Sequence, residues 1–242
     1  MKLAIFGDIH GNAEALRAVL SDMESIGVDY RVCLGDIAFR GPQPAACLEI
    51  AFGAGLDAIV VGNTDQWLVH GFPAGFAPPP EKRVRLEAFR DWTLAQIDGS
   101  WLRRLGSLPL SHTVRLGPHT VTVVHSSPRS TEAWFDAGAS DADLVGIFDG
   151  APACDVLVYG HIHTPFVRRI NRRWLVNTGS TGNPVDGDHR ACYALLTAEG
   201  ERLAIEIRRV PYDAAAVGEL AQRLRFPYAV EYAAALRAGQ AV

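Results

Sequence analysis

The sequence has no apolar run approaching the ~18 residues that cross a bilayer, so no membrane span is expected. It opens directly on Met1-Lys2-Leu3-Ala4-Ile5-Phe6, too short for the apolar core of a signal peptide and suited to a strand. A cytoplasmic protein is the expectation. Cysteine is scarce: Cys33, Cys47, Cys154 and Cys192 show no CxxC spacing, and three of them sit in apolar, strand-like stretches. That pattern disfavours zinc ligation and a disulfide framework and suits reduced core thiols. Charge of one sign is also lacking. A net charge of −4 and a pI of about 6.1 give no overall pull toward nucleic acid. Arginines do pair at Arg103-Arg104, Arg168-Arg169 and Arg172-Arg173, but such pairs at strand ends are usually solvated. No internal repeat and no low-complexity tract occurs.

What is present suits an α/β fold. At 242 residues and 48% hydrophobic, the chain can bury a substantial core, and one domain over 1–242 with an insertion fits better than two equal halves. Strand and helix alternate through the first 62 residues. Leu3–Phe6 reads as a strand, Asn12 as a helix N-cap, and Leu16, Val19, Leu20 and Met23 as the apolar stripe of a helix. Tyr30–Leu34 is a second strand, Pro44–Phe52 a second helix and Ala58–Val61 a third strand. Such alternation predicts a parallel sheet with right-handed crossovers.

From about 66 to 110 the pattern changes to a helical cap insertion. The proline-rich stretch Phe72–Pro80 excludes regular structure, and helices are predicted over Arg83–Ile97 and Ser100–Leu105. Trp67, Phe72, Phe76 and Trp92 in this insertion are either core aromatics or a stacking surface for a base. The second half is richer in strands: His112–Leu116 with Thr120–Val124, Val156–Tyr159, Phe166–Ile170 with Trp174–Val176, and Ala191–Thr197 with Arg202–Arg208. Helices at about Ala214–Arg223 and Ala229–Arg237 close the chain. Two packed sheets with helices outside are expected.

Seven polar residues recur in short glycine-bearing motifs: Asp8 and His10 in Gly7-Asp8-Ile9-His10-Gly11, Asp36 after Gly35, Asn63 after Gly62, His125, and His161 and His163 in Gly160-His161-Ile162-His163. At least five follow an apolar run, which places them at the carboxyl edge of a sheet, where open α/β folds bind their ligands. Carboxylate, imidazole and amide donors together suit Mn, Fe, Zn, Co or Ni better than Ca. The i, i+2 spacing of Asp8 with His10, and of His161 with His163, would on extended backbone point both side chains the same way, so that each pair chelates one ion. Singly, His125 is better explained as a buried core histidine than as a ligand, and Asp8 and Asp36 could be turn or cap residues. Packing alone gives no reason for seven such groups at strand ends.

This order of motifs resembles the calcineurin-like metallophosphoesterases, in particular the small bacterial and archaeal phosphodiesterases, and the likeness runs over most of the chain. Asn177–Pro184 with Asp186-Gly187-Asp188 is similar to a Gly-Ser loop of that branch. The resemblance implies a four-layer αββα sandwich of two mixed sheets. It also implies two divalent ions, manganese first with Fe, Zn, Co and Ni as alternatives. One would be held by Asp8, His10, Asp36 and His163, the other by Asp36, Asn63, His125 and His161. The catalytic set would be Asp36, Asn63, His125 and Arg40.

Two departures from the family pattern bear on chemistry. Many members have a histidine after the Gly-Asn pair, where it protonates the leaving group; here Thr64 stands there, and a hydroxyl is no useful acid near neutral pH. Arg40, in Gly35-Asp36-Ile37-Ala38-Phe39-Arg40-Gly41, occupies the place of the phosphate-binding arginine of protein phosphatases. The expected activity is in-line hydrolysis of a phosphodiester or phosphoanhydride by a metal-bridging hydroxide, on a small phosphorylated, nucleotide-type substrate, with the oligomeric state left open. His189 and a metal-bound water are the candidate acids. The alternatives are a phosphomonoesterase resembling a protein phosphatase, which Arg40 favours and Thr64 disfavours, and a scaffold like the retromer subunit of this fold.

Overall fold

The first strand shows how the layers are built. Along Lys2–Phe6, Leu3 and Ile5 point to one face and Ala4 and Phe6 to the other, and all four are fully buried. A strand apolar on both faces belongs between two layers. The computed structural model describes residues 1–241. In chain order the first elements are β1 (Lys2–Phe6), α1 (Ala13–Ile26), β2 (Tyr30–Cys33), α2 (Pro44–Gly53), β3 (Ala58–Ile59), α3 (Asn63–His70), α4 (Pro80–Gln96) and α5 (Gly99–Gly106). Next come β4 (Ser111–Leu116), β5 (His119–Val124), α6 (Asp141–Leu144) with a following 3-10 turn (Val145–Phe148), and β6 (Val156–Tyr159). The chain ends with β7 (Phe166–Ile170), β8 (Arg173–Asn177), β9 (Ala191–Glu199), β10 (Arg202–Val210), α7 (Ala214–Arg223) and α8 (Ala229–Ala238).

Among the described residues the strands form two five-stranded mixed sheets, ordered β10-β9-β1-β2-β3 and β4-β5-β6-β8-β7. β1, β2 and β3 run parallel, as do β5, β6 and β8, while β9, β10, β4 and β7 join their neighbours by antiparallel pairing. Leu3, Ile5, Val32 and Leu34 meet Val121, Val123, Val156 and Val158 in the core between the sheets. The opposite face of the first sheet packs on α1, α2, α7 and α8 through Phe6, Leu16, Val19, Met23 and Leu48. Tyr159, Leu157 and Leu175 pack on Leu144, Ile147 and Phe148. The result is the expected αββα sandwich, with the outer layer over the second sheet reduced to α6 and its 3-10 turn.

Local chemistry explains the boundaries. Asn12 caps α1 by accepting the Ala15 amide at 3.1 Å, and Gly27 ends the helix in the left-handed region at φ 67°. Proline opens α2 and α4, where a missing N–H is tolerated. β3 is shorter than expected because the Val61 amide bonds Pro109 O instead of continuing the ladder. The Gly62-Asn63 pair opens α3, a helix the sequence pattern did not suggest. The same is true of α6, whose four residues are too few to display a period.

Candidate metal centre

Parallel strands from both sheets end at one rim, and their following loops bring all seven motif residues together. Asp8 and His10 follow β1, Asp36 follows β2, Asn63 opens α3 beyond β3, His125 follows β5, and His161 and His163 follow β6. The backbone there is not extended. Asp8, His10, Asp36, His161 and His163 have φ of 51°, 48°, 52°, 67° and 58°. These are left-handed conformations that L-residues adopt at a cost of about 1–2 kcal/mol each. The pairing inferred from extended i, i+2 spacing is therefore corrected. His161 and His163 turn to different neighbours, His163 toward His10 and Asp8, His161 toward His125 and Asn63.

Three imidazoles are oriented by backbone carbonyls. Nδ1 of His10 donates to Phe39 O at 3.0 Å, Nδ1 of His125 to Leu34 O at 2.9 Å and Nδ1 of His163 to Asn183 O at 2.7 Å. A carbonyl only accepts, so Nδ1 carries a proton, and in the neutral ring Nε2 presents a lone pair. Those lone pairs converge. Nε2 of His10 and Nε2 of His163 lie 3.0 Å apart, and Asp8 Oδ1 is 3.2 Å from the latter. On the other side, Asn63 Oδ1 lies 2.8 Å from His125 Nε2 and 3.1 Å from His161 Nδ1. Asp36 Oδ2 stands between the groups, 3.7 Å from both His10 Nε2 and His125 Nε2. Donor atoms about 2.1 Å from an ion are spaced about 3.0–3.4 Å from one another. The donor set therefore fits divalent cations.

The carboxylates follow the same logic. Asp8 Oδ2 accepts the His161 amide at 2.9 Å, whereas the buried Oδ1 has no hydrogen-bond partner. Asp36 Oδ1 accepts the Thr64 amide at 2.9 Å and leaves Oδ2 facing the imidazoles. Each acid thus has one oxygen fixed by backbone and one turned toward other acceptors. Burial pushes the Asp36 carboxyl up to about 7, with Asp65 and Asp8 adding to the shift and His125 opposing it. Burial lowers His10 and takes His161 down to about 3, with neighbouring imidazoles acting in the same direction. Burial would raise Asp8, but His163, His125 and His10 outweigh it and lower its carboxyl. His125 goes the other way: burial would lower it, but Asp36 and Asp8 prevail and raise it. Imidazoles held neutral at His10 and His161 and a buried carboxyl that resists ionisation at Asp36 are what a cation would satisfy.

Several residues that place these groups were not singled out in the sequence. Asp65 accepts the amides of Asp36, Ile37 and Gly62 at 2.8, 3.0 and 3.0 Å. An acid three residues after the N-cap Gly62 is one half of a capping box, and that spacing was the available signal. Glycine is required at two points. A Cβ on Gly62 would fall on Asp36 Oδ1, and one on Gly160 would fall on Asp8 Oδ2. The loop after β8 ties the rim together, with Asn177 Nδ2 donating to Gly160 O at 2.6 Å and Ser180 Oγ to Asp8 O at 2.7 Å.

A cavity of about 840 Å³ opens over the centre. Arg40 lines it, with φ 75° and a buried Nε that makes no hydrogen bond. Burial lowers the Arg40 pKa, against the pull of Asp36 and Asp8. Thr64 also lines the cavity, and its buried Oγ1 has no partner. From α4, Lys82 and Arg85 contribute two further cations. Trp67, Phe72 and Phe76 pack on each other with centroids 5.0–5.6 Å apart, and Trp92 packs on Phe226, while Trp67 and Phe76 also line the cavity. The exposed aromatic at the rim is Trp134, 63% exposed, with its ring 5.4 Å from that of His161. His189 is exposed and does not line the cavity.

The family description "Calcineurin-like phosphoesterase superfamily domain" matches residues 1–201. The chain belongs to this superfamily of metal-dependent phosphoesterases. It is 29% identical over 248 residues to the uncharacterized protein MJ0912 of Methanocaldococcus jannaschii, covering 93% of each chain. It is 27% identical over 209 residues to phosphodiesterase YfcE of Escherichia coli, covering 81% of this chain and 87% of that one. Among solved structures, a metallophosphoesterase from Sphaerobacter thermophilus superposes with a TM-score of 0.78 at 27% identity, covering 99% of both chains.

Proposed function

We propose that the protein hydrolyses a phosphodiester or phosphoanhydride of a small, nucleotide-type molecule at a two-metal centre. The observation that carries this reading is Asp36 Oδ2 between two converging donor sets, 3.7 Å from an imidazole nitrogen of each. Asp8, His10, His163 and Asp36 would hold one ion, and Asp36, Asn63, His125 and His161 the other, with manganese the first expectation. When bound, such ions activate water near neutral pH and neutralise phosphate oxygens. The remaining work falls to the chain. Arg40, whose buried Nε has no partner, offers its guanidinium to the phosphate, and Lys82 and Arg85 favour a second anionic group further along the cavity. Trp134 offers a face to a planar base at the rim. The likeness to a phosphodiesterase of E. coli supports the diester.

Arg40 favours a second reading, a phosphomonoesterase, because it presents a guanidinium suited to a dianionic terminal phosphate. Turnover of bis-p-nitrophenyl phosphate, p-nitrophenyl phosphate and a dinucleoside polyphosphate with added Mn²⁺ separates the two. The diester or anhydride is expected to be favoured; a monoester preferred tenfold or more would replace this reading with the second. Asp36→Asn and His125→Ala are expected to abolish turnover in folded protein. Unchanged turnover would place the chemistry elsewhere.

A further inference from the structure

Thr64 leaves the reaction without the histidine that protonates the leaving group in many related enzymes, yet a carboxyl group is held beside the same helix turn. Glu132 lies in the segment between β5 and α6 and lines the cavity together with Asn63, Thr64 and His161. It is clamped there. Trp67 Nε1 donates to Glu132 Oε1 at 2.7 Å, and the adjacent Thr131 donates from Oγ1 to Gln66 Oε1, also at 2.7 Å. Trp67 follows Thr64 by three residues on α3, so the two side chains share one helix face. We propose that Glu132 is the general acid of this enzyme, donating its proton to the departing oxygen of the substrate. This rests on the phosphodiesterase reading above.

Three further observations suit that role. Among the described residues, Glu132 has no ion-pair partner, so no fixed cation keeps it ionised. Trp67 engages only Oε1, leaving Oε2 to carry a proton. Glu132 is an exposed residue at the cavity wall, and the partial burial of its carboxyl raises it above the ordinary glutamate value, partly offset by the Trp67 N–H and by His125. Raising a glutamate toward neutrality is how enzymes make it a usable acid. The titratable or charged groups that line the cavity with it are His10, Asp36, His161 and His163 at the centre, Arg40 after β2, and Glu81, Lys82 and Arg85 on α4, and the charge of His125 also acts on it. Glu81 lies in the first turn of α4 and is exposed like Glu132, but it lacks a hydrogen bond such as the one from Trp67 that holds the Glu132 carboxylate in place.

The step balances on water alone. The attacking water oxygen forms the new P–O bond, and the bond to the leaving group breaks with its electron pair going to the departing oxygen. That oxygen takes the proton from Glu132. The proton released by the attacking water passes to solvent, from which the Glu132 carboxylate is reprotonated.

Glu132→Gln tests this cleanly, because a glutamine Oε1 still accepts from Trp67 while the acidic proton is gone. The Mn²⁺-loaded wild type and variant are compared on phosphodiesters whose leaving groups run from p-nitrophenol through phenol to methanol. The expected loss is about threefold or less for p-nitrophenol and about a hundredfold or more for methanol. The basic limb of the kcat profile should also disappear. An equal loss across the series with that limb retained would overturn the proposal. A ¹³C titration of carboxyl-labelled glutamates in the metal-free protein is the second readout. The resonance missing from the variant should titrate above the other glutamates, and one in the ordinary range would contradict the proposal. A wild type that cleaves no diester defeats the phosphodiesterase reading instead, and the titration still decides for or against Glu132.

Discussion

Asp65 holds the backbone on which Asp36 stands, its Oδ2 accepting the Asp36 amide at 2.8 Å and its Oδ1 accepting the Ile37 amide at 3.0 Å. The Asp36 side chain is therefore aimed by a second acid that touches none of the converging nitrogens. Asp65→Asn keeps one accepting oxygen and turns an NH₂ toward backbone N–H groups. At least one buried amide is orphaned, at a cost of about 1–3 kcal/mol. Urea unfolding should show that loss, and plasma emission should find less than one ion per chain. Full stability and metal content would remove Asp65 from this role.

Gly160→Ala places a methyl group on Asp8 Oδ2, the oxygen that receives the His161 amide. The carboxylate must move, and both flanking histidine positions move with it. Isothermal titration with Mn²⁺ is expected to show at least tenfold weaker binding in a protein of native far-UV dichroism. Wild-type affinity would show that the rim yields more easily than its packing implies.

Trp134→Ala removes an aromatic that is largely exposed, so stability should stay within about 0.5 kcal/mol. Loss of a stacking face worth about 1 kcal/mol should raise KM about fivefold for a nucleotidyl substrate. KM for a methyl phosphodiester should be unaffected. Equal effects on both would remove stacking as the explanation.

Far from the rim, Asp22 on α1 accepts from Arg208 Nε at 2.9 Å and from Tyr193 OH at 2.7 Å. Burial would raise its carboxyl, but the bonds from Arg208 and Tyr193 prevail and lower it. A lowered folded pKa means that the unfolded chain takes up the proton first. The stabilisation is complete above the ordinary aspartate value of about 3.9 and is lost as pH falls through the lower folded value. Asp22→Asn should cost about 1 kcal/mol at pH 7, and the gap from wild type should close as pH falls through the lowered folded value. A gap independent of pH would show a packing effect rather than a charge effect.

The fold was legible where one element shows its own period. Leu3, Ile5 and Phe6 announce a strand buried on both faces, and Asn12 with Leu16, Val19 and Met23 announces a capped helix. The donor residues were legible because their motifs follow such strands. Their pairing was not legible from spacing, since the φ values that send His161 and His163 to different neighbours are set by tertiary contacts; only the family resemblance separated the two. Ser180 and Asn177 bind the rim loops together across the chain, a relation no local spacing encodes. Trp134 and Glu132 lie in a segment with no period at all, and only the assembled cavity shows what they face.

Anomalous diffraction from crystals soaked in Mn²⁺ tests the central claim most directly. Two peaks about 3.5–4 Å apart are predicted, with Asp36 between them, His10 and His163 on one side, and Asn63, His125 and His161 on the other. A single peak, or manganese bound away from Asp36, would contradict the account.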